Sequence, residues 1–219
     1  MNPELDLVIF DCDGVLVDSE RVANEVFARV LAEVCGLQFT LEEMFDTFVG
    51  HSRLQCLQKI EALIGAPPPA ELDRRYQQDI NRALEQSVVA IEGIAEVLEQ
   101  LSLPSCVASS GSHEKMQMTL GKTGLFDFFE GNIFSTSEVE RGKPHPDIYL
   151  HAAACMGVPD PARCLVIEDS PLGVSGAVAA NMRVYGFAEL MPAHKLRAAG
   201  AHHVFDTMSE LPQLIANDS

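Results

Sequence analysis

Asp11 and Asp13 stand two residues apart in the run Asp11-Cys12-Asp13-Gly14-Val15-Leu16-Val17-Asp18-Ser19, directly after the apolar Leu7-Val8-Ile9-Phe10. Carboxylates spaced by two point the same way as a chain leaves a strand. Gly14 then lets the backbone turn at once. Asp and Gly are also ordinary turn formers, so this pair alone decides nothing. A second segment, Ser109-Ser110-Gly111-Ser112, follows the apolar Cys106-Val107-Ala108. A hydroxyl and exposed N–H groups between a strand end and a helix start make an anion-binding nest, with Ser112 suited to cap the helix. The third segment, Lys143-Pro144-His145-Pro146-Asp147, holds an ammonium in a loop stiffened by two prolines, with Asp147 suited to cap the next helix. The fourth is Glu168-Asp169, after Cys164-Leu165-Val166-Ile167. Adjacent acids there suit a hard, oxygen-seeking cation such as Mg2+. Asp169 or Ser170 equally suits the cap of a helix whose first turn holds Pro171.

These segments act together only if their strands share one sheet. Leu7–Phe10, Cys106–Ala108, Cys164–Ile167 and Val184–Phe187 read as buried strands, with weaker candidates at Ile133-Phe134 and His203–Phe205. Helical patterns at Glu114–Thr123, Ile148–Met156 and Leu172–Ala180 alternate with them. That alternation predicts an α/β fold, a Rossmann-like parallel sheet covered by helices on both sides. Ligands of such sheets bind beyond the carboxyl ends of the strands, where all four segments converge.

Between Ser19 and Gln86 the alternation stops and only helical patterning remains. Ser19 suits the cap of a helix in which Val22, Val26, Val30 and Val34 recur, with Phe27 and Leu31 alongside. Thr40 and Glu43 form a capping box for a second helix. A third runs from Ser52 to Leu63 and stops at Gly65; Pro67-Pro68-Pro69 connects it to a fourth at Leu72–Leu84. The expected organisation is a Rossmann-like core at 1–16 and 88–219 with an inserted α-helical cap domain at 17–87.

Composition narrows the partners. The 219 residues carry 32 acidic against 15 basic side chains, a formal charge of −17, which repels nucleic acid and anionic membranes. A phosphorylated small molecule stays compatible, given local positive charge or a metal. Cys12, Cys35, Cys56, Cys106, Cys155 and Cys164 form no Cys-x-x-Cys pair and read as reduced, mostly apolar thiols. The first residues lack a basic targeting region, and no apolar run approaches the ~18 residues of a membrane span. A cytoplasmic protein, monomeric or a weak homodimer, is expected.

In order, Asp11-x-Asp13-Gly14, Ser109, Lys143 and Glu168-Asp169 resemble the motifs of the haloacid dehalogenase superfamily of phosphotransferases, and the helical insertion resembles its small cap type. The stretches Asp11–Glu20 and Lys143-Pro144-x-Pro146-Asp147 are similar to those of sugar-phosphate phosphatases and beta-phosphoglucomutases. The resemblance implies a Mg2+-dependent hydrolase of a small phosphorylated metabolite, a sugar phosphate or sugar-acid phosphate. It makes Asp11 the nucleophile that becomes an aspartyl-phosphate and Asp13 the acid and base. Mg2+ would be held by Asp11, the Asp13 carbonyl and Asp169, and Lys143 would neutralise nucleophile and phosphoryl charge. Ser109, Ser110 and Gly111 would hold the phosphate. Glu168 would orient either Lys143 or a metal-bound water. In the cap, Gly50-His51-Ser52-Arg53 resembles the family's Gly-x-x-Arg loop, which makes Arg53, with His51 beside it, a candidate for substrate anion binding. Arg74 and Arg75 read as the solvated face of their helix. Cap closure over the crevice is expected, because excluding water strengthens electrostatic catalysis.

One position departs from the resemblance. Beta-phosphoglucomutases carry a histidine where this chain has Ala23, which tilts the reading toward hydrolysis, with a phosphosugar mutase as the enzymatic alternative. A phospho-acceptor module is the non-enzymatic one, but it places its acceptor Asp on a different strand from its acidic pair and has no cap. A relative that only binds ligands is another, and intact motifs speak against it. Gly121-Lys122-Thr123 lacks the earlier glycine of a P-loop, Met116 standing there instead. His145, His202 and His203 lack companions at zinc-site spacing.

Overall fold

The computed structural model describes residues 4–49, 51 and 53–217. The chain forms two compact units, Met1–Asp18 with Val89–Ser219, and Ser19–Val88. The first is built on a six-stranded sheet: β1 (Leu7–Phe10), β2 (Ser105–Ser109), β3 (Ile133–Ser135), β4 (Cys164–Glu168), β5 (Arg183–Phe187) and β6 (His203–Phe205). All neighbours pair in parallel, in the order β3-β2-β1-β4-β5-β6. The weakly marked edge strands β3 and β6 are therefore real members of the sheet. The fold is α/β and Rossmann-like, as the alternation predicts. In this order the topological switch lies between β1 and β4, and a crevice opens there at the carboxyl ends.

Leu7, Val8, Ile9 and Phe10 of β1 are wholly buried, because a central parallel strand is covered on both faces. Each such side chain stabilises the fold by roughly 1.5–3 kcal/mol, so the strand that ends at Asp11 is anchored tightly. Of the helices, α5 (Ile94–Gln100), α6 (His113–Thr123), α7 (Asp147–Cys155), α8 (Pro171–Ala179), α9 (Ala193–Ala199) and α10 (Leu211–Asn217) belong to this unit. Helix α7 packs along β1, β2 and β3; α8 packs along β4 and β5. The sequence reading does not mark α5, α9 and α10. Each has seven residues, under two full turns, and so shows little 3.6-residue periodicity.

The second unit contains α1 (Ser19–Cys35), α2 (Leu41–Phe48), α3 (Arg53–Ile64) and α4 (Glu71–Ser87). Its core includes Val22, Val26, Val30, Leu31, Met44, Phe48, Ile60, Leu72, Ile80 and Leu84. Phe27 packs edge-on to Phe48 and Tyr76 at 5.4 Å. Val34, one residue from the end of α1 at Cys35, is only half-buried. The Thr40 capping box is formed as expected, Glu43 Oε2 accepting from the Thr40 N–H at 2.7 Å.

The junctions fall after Asp18 and after Val88, slightly beyond the 17–87 read from the sequence. Backbone hydrogen bonds explain the shift. Gly14 N–H donates to the Val17 carbonyl, Asp18 N–H to Val89 and Ile91 N–H to Leu16, all at about 3.0 Å, which ties residues 14–18 to the sheet unit. Among the described residues no helix is long and apolar enough to cross a membrane. The six cysteines are free thiols, and burial pushes the Cys12 and Cys106 thiols well up, which keeps them unreactive.

Candidate active site

Asp11 is the first residue beyond β1, its N–H donating to the Ile167 carbonyl of β4 at 3.0 Å. Glu168 ends β4 and is wholly buried. The two carboxylates flank the switch point, and Lys143 bridges them. Its Nζ donates to Asp11 Oδ1 at 2.7 Å and to Glu168 Oε1 at 2.5 Å. Lys143 reaches this position from the Pro-braced loop before α7, where the Lys143–Pro144 peptide bond is cis. Asp147 does not cap that helix. The cap position is Pro146, and Asp147 instead accepts a bidentate pair from Arg141 at 2.9 and 3.1 Å.

Four donors converge on Glu168. Oε1 accepts from Lys143 and from the Tyr149 hydroxyl at 2.9 Å; Oε2 accepts from the Ser170 N–H and hydroxyl, both at 2.9 Å. A wholly buried carboxylate is tolerated only with such satisfaction. Gly173 also matters here, since a Cβ at that position would overlap the Glu168 carboxylate. Ser170, not Asp169, caps α8, accepting from the Gly173 N–H at 3.0 Å, with Pro171 in the first turn. Tyr149 was not singled out by its sequence context: it sits in a helix and reads as core, which in bulk it is.

Burial raises Asp11 to about 7, against the pull of the Lys143 ammonium and with help from Glu168 and Asp13. Burial acts to lower Lys143, but Asp11 and Glu168 outweigh it and hold the ammonium well above the usual lysine range. The Asp11 shift has a consequence for stability. Between its unfolded value of 3.8 and about 7, the folded metal-free protein holds a proton at Asp11 that the unfolded chain has lost. Stability from this group is therefore present below pH 4 and falls as pH rises toward 7, by up to ~1.4 kcal/mol per pH unit. Melting in EDTA across this range should show a downward slope that Asp11→Asn reduces; equal slopes in both proteins would contradict the shift.

Oxygens of Asp11, Glu168 and Asp169 lie within 4.8 Å of one another. Gly14, in the left-handed region at φ 79°, lies against Asp169 so closely that a Cβ there would overlap its carboxylate. The Asp11 and Asp169 oxygens, with a glycine keeping space for Asp169, are hard donors that fit Mg2+, whereas the Glu168 oxygens are already taken by Lys143, Tyr149 and Ser170.

One strand over, Ser109 ends β2 and is buried, while Ser110 is exposed. The Gly111 N–H is not left open toward an anion, as the nest reading expects. It donates to Ser109 Oγ at 3.1 Å, and Ser135 Oγ donates to the Gly111 carbonyl at 2.7 Å, so the loop is pinned. Ser112 caps α6, accepting from the Lys115 N–H at 3.3 Å. Asp13 meets a cation the sequence reading missed: Lys115 Nζ lies 2.8 Å from both of its oxygens. The contact spans 102 residues, and only the parallel pairing of β1 with β2 brings these positions together.

In the helical unit, Arg53 begins α3 and pairs with Asp73 of α4, both half-exposed. Gly50 and Ser52 of the same loop lie outside the described residues. His51 Nδ1 is buried and has no hydrogen-bond partner among the described residues. It lines a cavity of about 290 Å3 with Glu20, Ala23, Asn24, Phe48 and Tyr76. Arg74 and Arg75 are exposed and paired with Glu71, and with Glu33 and Asp79, as a solvated face should be.

A family model described as haloacid dehalogenase-like hydrolase matches residues 5–181. Over 211 residues the chain is 30% identical to the 6-phosphogluconate phosphatase of Escherichia coli (strain K12), which covers 96% of this chain and 94% of that protein. A solved haloacid dehalogenase-like protein of unknown function from Agrobacterium tumefaciens str. C58 has a TM-score of 0.91 at 40% identity, covering 97% of this chain and 98% of that one. A HAD family hydrolase from Deinococcus radiodurans R1, solved with bound phosphate and sodium, has a TM-score of 0.86 at 34% identity, covering 98% and 96%.

Proposed function

The chain belongs to the haloacid dehalogenase-like hydrolases, and from that premise we propose that it hydrolyses a sugar phosphate or sugar-acid phosphate through an aspartyl-phosphate on Asp11. The observation that carries this reading is the Lys143 ammonium held between Asp11 and buried Glu168. A carboxylate meant to attack a phosphate dianion needs its charge offset, and here a fixed cation does so. Similarity to a 6-phosphogluconate phosphatase supports the substrate class.

In the first step an Asp11 oxygen attacks phosphorus in line. The bond from phosphorus to the alcohol oxygen breaks, and Asp13 gives that oxygen its proton. In the second, water attacks the phosphorus of the aspartyl-phosphate, a water proton returns to Asp13, and the bond to Asp11 breaks. Alcohol and inorganic phosphate leave, and both aspartates are restored. Lys143 offsets charge on Asp11 and on a phosphoryl oxygen throughout. Glu168, its oxygens taken by Lys143, Tyr149 and Ser170, acts by orienting Lys143. Ser109 donates its O–H to a second phosphoryl oxygen, aimed by the Gly111 N–H that its Oγ accepts. Mg2+ would be held by Asp11, Asp169 and the Asp13 carbonyl, and when bound it supplies charge neutralisation at the transferring phosphoryl group.

The test is phosphate release from a panel of sugar phosphates and sugar-acid phosphates, with Mg2+ or EDTA, and product identification on glucose 1-phosphate. Mg2+-dependent release is expected. With Ala23 where a mutase carries histidine, glucose 1-phosphate should give glucose and phosphate. Conversion to glucose 6-phosphate without free phosphate would overturn hydrolysis in favour of a mutase.

A further inference from the structure

Lys115 is placed at some local cost. It is the third residue of α6, counted from the Ser112 cap. That position favours a carboxylate, which answers the cap N–H and the positive end of the helix dipole. An ammonium there is set against the positive end of the helix dipole. Breaking a local rule is a mark of function when something else is gained. What is gained here is the contact with Asp13. Gly111 lies beside the lysine stem: a Cβ there would sit in ordinary contact, 3.6 Å from Lys115 Cδ. A longer side chain would compete with the lysine stem.

The contact also obstructs the chemistry. One ammonium covers both oxygens of Asp13, the group that must give a proton to the leaving oxygen, so Lys115 has to surrender at least one of them during turnover. The pair is partly buried, with side chains 34% and 21% exposed. Moving the ammonium to a neutral hydroxyl forfeits an ion pair, whereas moving it to another anion exchanges one pair for another. The contact with Asp13 also places Lys115 on the leaving-group side of the phosphate.

We infer that Lys115 is a specificity-determining residue: it takes a second anionic group, carboxylate or phosphate, carried by the alcohol part of the substrate, and thereby frees Asp13 for proton transfer. The preferred substrates are then phosphomonoesters of acidic alcohols. This rests on the phosphomonoesterase reading above and narrows it.

Binding separates the two claims. In the Asp11→Asn background with Mg2+, calorimetry would compare 6-phosphogluconate, glucose 1,6-bisphosphate and glucose 6-phosphate. At least one of the two doubly anionic ligands should bind tenfold or more tighter than glucose 6-phosphate, and which one identifies the anion. Adding Lys115→Met should reduce that preference to under threefold, and Lys115→Arg should keep most of it. If Lys115→Met does not fold, Lys115→Gln makes the same comparison. Equal affinities for the three ligands, no binding at all, or a preference that survives in Lys115→Met would overturn the inference. Phosphate release by the unaltered enzyme tests the other reading: a binding preference with no turnover of any ester would leave Lys115 an anion receptor and remove the phosphatase.

Discussion

Asp11→Asn should lower kcat by about 10^4-fold or more while leaving the fold intact, because the amide lacks the charge and nucleophilicity of the carboxylate. The residue follows a wholly buried strand and is itself 7% exposed, so the replacement keeps shape and volume. It also removes the buried carboxylate that desolvation disfavours, so the melting temperature in EDTA at pH 8 should not fall. Steady-state phosphate release and a thermal melt check both halves. Residual activity above about 1% in protein free of wild-type enzyme would mean that another group attacks phosphorus.

Lys143→Met carries the second large effect, on stability as well as rate. Lys143 is 6% exposed at its side chain and lies between Asp11 and Glu168. Without it two buried carboxylates face one another across the switch point. Removing one partner of a buried ionic cluster costs roughly 3–5 kcal/mol, which for a chain of this size lowers Tm by about 10 °C. Rate should fall by about 10^2-fold or more, since a fixed cation beside the transferring group is lost. Because the carboxylates fit Mg2+, added Mg2+ should restore part of the Tm and little of the rate. A melt unchanged in EDTA would show that the ammonium does not hold these carboxylates together.

Much of this architecture is legible in the residues. Leu7–Phe10 is a short apolar run followed at once by Asp11 and Cys164–Glu168 is one that ends in an acid, and both the runs and the acids are visible without coordinates. The Thr40–Glu43 box and the Ser112 and Ser170 caps are equally local. What the sequence hides is long-range. Lys115 looks like one more charge in the first turn of a helix, and only the β1–β2 pairing brings it to Asp13. Tyr149 reads as an apolar helix residue, and only the packing of α7 on the sheet sets its hydroxyl on Glu168. Asp147 shows the reverse error: a cap residue by position is captured by Arg141, six residues earlier, because a bidentate guanidinium contact outcompetes one backbone N–H. The Gly111 amide goes to Ser109 for a similar reason, the hydroxyl being two residues away.

The most direct test of the account is to trap the phosphorylated protein. Enzyme in excess over a radiolabelled phosphate ester would be mixed with Mg2+, quenched in acid within milliseconds, digested and mapped. Label is expected on the peptide containing Asp11, appearing before free phosphate, discharged by hydroxylamine and absent from Asp11→Asn. Free phosphate formed at full rate with no labelled peptide at any time would contradict covalent catalysis by Asp11 and leave direct attack by water.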